Sequence, residues 1–83
     1  MELLTLKPRV HQDSIDIDLV ALDDSGATLT CTVQLTKDLS DILSVVPDEA
    51  TPMTEPLLDF ARATVREHIK THAAELAAML PKG

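Results

Sequence analysis

Aromatic side chains are almost absent from this sequence. It contains no tryptophan and no tyrosine, and its one phenylalanine is Phe60. The core must therefore be built from leucine, isoleucine, valine and alanine, which offer few large anchors. Cysteine is equally scarce, because Cys31 is the single one, and an internal disulfide is excluded. Its place among alternating apolar residues indicates a buried thiol that behaves as a small hydrophobic group.

Motifs of catalysis and of membrane insertion are also missing. The two glycines leave no loop that cradles a phosphate, and no serine stands in a Gly-x-Ser-x-Gly setting. We therefore expect no enzyme activity and no cofactor. No apolar run approaches the roughly 20 residues of a membrane span, and the amino terminus lacks the features of a signal peptide. The expected compartment is the cytoplasm.

Negative charge is in excess. Fourteen acidic residues against seven basic ones give a formal net charge of −7, spread over both halves of the chain. Such a field repels phosphate backbones, which argues against direct nucleic-acid binding. It attracts the basic surface of a partner protein. The alternative is that the charge only keeps a small protein dissolved.

What the sequence does contain is a clear β-hairpin. Apolar residues recur at every second position over residues 15–21 and again over residues 29–35, which is the period of half-buried antiparallel strands. Between these runs Gly26 can close a three-residue loop, residues 24–26. The resulting pairs are Ala21 with Leu29, Leu19 with Cys31, Ile17 with Val33 and Ile15 with Leu35, and on the other face Leu22 with Thr28, Val20 with Thr30, Asp18 with Thr32 and Asp16 with Gln34.

A weaker strand precedes the hairpin, over residues 2–9. Its leucines alternate with polar residues, and Pro8 predicts an edge position. A turn at residues 10–13 brings this strand back against the hairpin. The predicted pairs are Lys7 with Asp16, Leu6 with Ile17 and Thr5 with Asp18. Residues 2–36 are therefore predicted to form a three-stranded antiparallel meander.

Two helices are predicted after the sheet. Helical spacing of four apolar residues predicts a short helix over residues 37–46, with Thr36 or Asp38 as its cap. Residues 47–53 are a proline-rich linker. A long helix over residues 54–80, capped by Thr51 or Thr54, is expected to cover the inner face of the sheet. The chain is thus predicted to be one small α+β domain over residues 1–83.

The predicted long helix carries a second small-residue face. Phe60, Ala63, Ala74 and Ala78 lie roughly opposite its main apolar stripe. Alanines allow close helix approach, so one interpretation is a contact with a second copy of the chain or with a partner protein. The other interpretation is that Phe60 covers the predicted short helix.

Two groups of polar residues have the spacing of a binding site. Asp16 and Asp18 lie on one strand face about 7 Å apart, either as a binding face for a basic partner or as a solvated face paired with Lys7 and threonines. His68, His72 and Glu75 follow the i, i+4, i+7 spacing of a helix, which suits zinc. The alternative, which we favour, is that the histidines occupy boundary positions near a helix end and no metal is bound.

These features favour a small acidic module for protein–protein interaction that self-associates as a dimer. In one hypothesis it is an inhibitor or adaptor of a basic, nucleic-acid-binding partner, contacted by Asp16 and Asp18, in the manner of accessory proteins of phages and mobile elements. In a second it is a structural assembly component that uses Phe60 and the C-terminal helix. A third makes it a zinc-binding accessory protein.

Overall fold

The computed structural model describes residues 1–52 and 54–80. Four antiparallel strands form one sheet in the order β1-β2-β3-β4, and two helices follow. The elements are β1 Glu2–His11, β2 Ser14–Leu22, β3 Thr28–Leu35, β4 Ile42–Pro47, α1 Glu55–Thr71 and α2 Ala73–Met79. The α+β class predicted from the sequence is confirmed, with one more strand than predicted.

The hairpin of β2 and β3 has the predicted register. Leu19 lies opposite Cys31 on one face, and Asp18 lies opposite Thr32 on the other. Gly26 has a φ of 87°, in the left-handed region that glycine adopts without strain. The loop is further held by Asp23, whose Oδ1 accepts the backbone N–H groups of residues 25 and 27 at 2.9 Å each. The hydrogen bond that the Ser25 hydroxyl donates to this carboxylate, and secondly the bonds from the backbone, lower the pKa of Asp23.

The predicted pairing of β1 with β2 is wrong by two residues. Lys7 lies opposite Asp18 and Arg9 opposite Asp16. The connection is also tighter than the predicted turn over residues 10–13, because His11 already pairs with the first residue of β2. A shift of two residues leaves every side chain on its original face, so alternation of polar and apolar residues does not distinguish the two registers.

The prediction of a short helix over residues 37–46 is wrong, because Ile42–Pro47 forms the strand β4. Thr36 and Asp38 do not cap a helix but close the hairpin between β3 and β4. The Thr36 N–H donates to the Asp41 carbonyl at 3.0 Å, and Asp38 Oδ1 accepts the hydroxyls of Thr36 and Ser40 at 2.7 Å each. The strand is rich in β-branched residues, and a short apolar segment fits helical and strand spacing equally well.

The long helix predicted over residues 54–80 is interrupted at His72. Its φ of −127° and ψ of 25° leave the helical region, and α2 begins at the next residue. A straight helix of that length would extend beyond the sheet, whose strands are shorter. The break instead allows α2 to pack near β1, while α1 lies over β3 and β4.

The segment before α1 partly matches the prediction. Thr54 caps α1, since its Oγ1 accepts the N–H of Leu57 at 3.4 Å. Thr51, the other predicted cap, is buried and accepts the N–H of Thr30 at 3.2 Å. Of the predicted linker over residues 47–53, the first residue ends β4, and Met53 lies outside the described residues.

One hydrophobic core fills the space between the sheet and the helices. Its buried residues are Ile15, Ile17, Leu19, Ala21, Cys31, Val33, Leu35, Ala61, Val65, Ile69 and Leu76. Cys31 is buried as predicted, and burial raises the pKa of its thiol. The alternate residues of the strands lie on the other side of the sheet, which we term the open face because no helix in the described ranges covers it. Within these ranges, none of the helices is long and apolar enough to cross a membrane.

Candidate functional site

A polar network crosses the open face from β1 to β3. Its centre is Arg9, whose Nε lies 2.8 Å from Asp18 Oδ2 and whose Nη2 lies 3.6 Å from Asp16 Oδ2. The hydroxyl of Thr32 donates to Asp18 Oδ1 at 3.1 Å. The hydrogen bond from Arg9 to Asp18, together with the negative charge of Asp18, raises the pKa of Arg9. The structure therefore brings the two predicted aspartates together with a cation between them.

This network changes the electrostatics expected of the predicted binding face. The side chain of Asp16 is only 6% exposed, whereas that of Asp18 is 42% exposed. Arg9 is a counter-charge to both carboxylates, and Lys7 lies opposite Asp18 on β1. Asp18 is open to a partner and Asp16 is largely enclosed. A role of either residue in binding a basic partner stays a prediction.

A shallow groove of about 270 Å³ adjoins Asp16 at one end of the open face. It is lined by His11, Ser14, Asp16, Gln34, Leu35, Thr36, Lys37 and Leu43. His11 and Ser14 meet there, but the Ser14 hydroxyl donates to the backbone carbonyl of His11 at 3.0 Å rather than to its ring. This geometry is not the nucleophile and base pair of a hydrolase. Its lining combines polar side chains with the apolar side chains of Leu35 and Leu43.

The edge strand β4 is a surface that the sequence interpretation missed. Leu43 and Val46 are 69% and 51% exposed, the two highest values among the exposed large hydrophobic side chains of the described residues. No residue of Ile42–Pro47 is charged. Two signals in the sequence point to a strand, namely the β-branched residues and a proline at the end of the run. The helical spacing of the same apolar residues obscured them.

The residues of the predicted second helix face are divided by the break at His72. Phe60 and Ala63 lie on α1, whereas Ala74 and Ala78 lie on α2. The three alanines are exposed, but Phe60 is partly buried and packs against the core. The interpretation that Phe60 covers a short helix over residues 37–46 is wrong, since Ile42–Pro47 in this segment forms the strand β4. A contact of these residues with a partner stays a prediction.

The three residues considered for zinc do not converge. The rings of His68 and His72 are stacked, with centroids 4.2 Å apart and planes inclined by 14°. Lone pairs of stacked imidazoles run side by side and do not point at a common ion. Within residues 1–52 and 54–80, no group of three histidine, cysteine, aspartate or glutamate side chains has the geometry to hold a metal ion.

The histidine stack predicts a pH dependence of stability. Burial, and secondly the charge on His72, lower the pKa of His68 below its usual range. The unfolded chain then takes up a proton more readily than the folded chain, so stability is full above about pH 6.5 and falls as the pH drops below it. We expect urea unfolding to show a loss of stability between about pH 7 and pH 5 that His68→Gln reduces. His11→Gln, at the end of β1, is the matched control, and an equal effect of both variants would contradict the assignment.

Comparison of the chain with known protein families, with curated proteins and with solved structures found no match. Function is therefore inferred from the surfaces themselves. Two of them differ clearly in chemistry: a charge-balanced polar network on the open face, and an uncharged edge with two exposed apolar side chains.

Proposed function

We propose that this chain is a protein–protein interaction module that self-associates. The observation that carries the proposal is the exposure of Leu43 and Val46 together on the uncharged edge strand β4. An open strand edge presents unpaired backbone donors and acceptors, and exposed apolar side chains beside it favour association. A chain of 83 residues also buries a smaller share of its surface than a large domain does, so it gains from additional burial.

A second candidate is an inhibitor or adaptor that binds a basic partner in the cytoplasm. The net charge of −7 favours it, because opposite charge accelerates and orients encounter. The pairing of Asp16 and Asp18 with Arg9 weakens it, since these carboxylates already have a counter-charge. Salt separates the two candidates: a complex with a basic partner weakens steeply as sodium chloride is added, whereas apolar association does not.

Self-association is tested by sedimentation equilibrium of the purified chain. We expect the mass to rise from 9.0 kDa toward twice that value as the concentration is raised from about 5 to about 500 µM. Ala63→Lys, at an exposed position of α1, tests the helix face in the same experiment, and it should reduce the mass at high concentration only if that face carries the contact. A mass that stays at that of the monomer over the whole range would contradict the proposed function.

A further inference from the structure

We propose that two copies of the chain join through β4, edge to edge and antiparallel, so that their sheets become one continuous sheet. This inference rests on the proposed self-association and specifies the surface that performs it. The occupant of the open edge is thus a second copy, related to the first by a two-fold axis perpendicular to the sheet.

The two edges of the sheet differ in how they are protected. β1 carries Lys7, Pro8 and Arg9 in its middle and has a register shift between Leu3 and Thr5. Charged residues, proline and bulges are the features that prevent an edge strand from pairing with another chain. β4 has its register shift at its start and its proline, Pro47, at its end, and it has no charge along its length. Pairing is therefore expected at β4 rather than at β1.

The backbone of β4 defines the centre of the pairing. The N–H of Asp48 donates to the Thr30 carbonyl at 2.9 Å, so the amide of residue 48 points toward β3. Because this direction alternates along a strand, the backbone N–H groups of Ser44 and Val46 also point toward β3, and the backbone N–H of Val45 points outward. A two-fold axis at Val45 lets each Val45 N–H donate to the Val45 carbonyl of the other copy. Pro47, which lacks an N–H, then needs to provide only its carbonyl.

Side chains and charges fit the same arrangement. On the open face Ser44 of one copy lies opposite Val46 of the other, and the exposed side chains of the edge become covered. The paired strands carry no charge over Ile42–Pro47, so two chains of net charge −7 meet along an edge where neither places a like charge against the other.

The test is sedimentation equilibrium of Leu43→Lys/Val46→Lys beside the wild type. Both side chains are largely exposed, so the folded monomer accommodates lysine. Four lysines along the joined edge are expected to weaken the dimer on the order of 100-fold. The variant also reduces the net negative charge of the chain, so general electrostatic repulsion does not explain a loss of association.

The matched control is Leu3→Lys/Leu4→Lys on the opposite edge. These side chains are 40% and 44% exposed, and the change in charge is the same. The control should dimerise like the wild type. A β4 variant that still dimerises would overturn the edge pairing and leave the proposed function standing, whereas a monomeric wild type would overturn both.

A cross-link provides a measurement that does not depend on destabilising the dimer. In the proposed register the α-carbons of Ser44 and of Val46 in the other copy are about 4.5 Å apart, as in a non-hydrogen-bonded antiparallel pair, within reach of a disulfide. Ser44→Cys/Val46→Cys should form a disulfide-linked dimer under mild oxidation. The native Cys31 is buried and remains a thiol. Absence of the cross-link in a sample that sediments as a dimer would overturn the register.

Discussion

Replacing Leu19 by alanine is expected to lower the free energy of unfolding by about 3 kcal/mol. Leu19 is fully buried at the middle of β2, with Leu6 opposite on β1 and Cys31 opposite on β3. The loss combines transfer of the missing atoms with a cavity that a sheet held on both sides does not close. A domain of this size has a total stability of roughly 4 to 12 kcal/mol, so the variant loses a large part of it.

Urea unfolding at fixed protein concentration measures this loss, because dimerisation makes stability depend on concentration. Val20→Ala is the matched control: it removes a similar apolar group from the next position of β2, where the side chain lies on the open face and is only partly buried. Its cost should be about 1 kcal/mol or less. Equal losses for the two variants would contradict the assignment of the core to one face of the sheet.

The hairpin illustrates what local sequence determines. Side chains alternate with a period of two, so only a register that keeps both faces consistent buries Leu19 against Cys31. The same rule does not separate registers that differ by two residues, and for that reason the sequence predicts Lys7, rather than Arg9, opposite Asp16. The candidate site changed with it, since Arg9 is the cation that bridges the two aspartates.

The wrong predictions of a short helix and of an uninterrupted long helix concern segments whose conformation is decided by tertiary contacts. Residues 42–46 fit the spacing of a helix and of a strand, and pairing with the free edge of β3 decides between them. Nothing near His72 resembles a helix breaker, yet the chain turns there and Leu76 becomes buried. Both decisions depend on residues distant in sequence, which is why the exposed edge at β4 could not be predicted.

Asp16→Lys is expected to lower the free energy of unfolding by about 3 kcal/mol or more. The Asp16 side chain is enclosed, at 6% exposed, and its nearest counter-charge is Arg9. A lysine there places two cations side by side where water does not screen them well. Circular dichroism and urea unfolding of the purified variant measure the effect.

Two further variants separate the effect of an enclosed positive charge from the loss of the carboxylate and from a positive charge at an exposed site. Asp16→Asn keeps the size of the side chain and removes only its charge, so it should cost much less than lysine. Asp18→Lys places the same new charge at a side chain that is 42% exposed, where water screens it, and this variant should remain folded. If Asp16→Lys were as stable as Asp18→Lys, the enclosure of Asp16 by the open-face network would be wrong.

The difference between the two aspartates decides how binding of a basic partner can be tested. Asp16→Lys lowers stability and changes the surface charge at the same time, so a loss of binding by this variant does not identify a contact. Asp18 is the exposed carboxylate of the pair, so Asp18→Lys is the variant whose binding reports on the surface. If the open face holds a basic partner, this variant should lose binding while it stays folded, with only a small loss of stability from its contacts to Arg9 and Thr32. Retention of binding by folded Asp18→Lys would leave the β4 edge as the surface through which this chain associates.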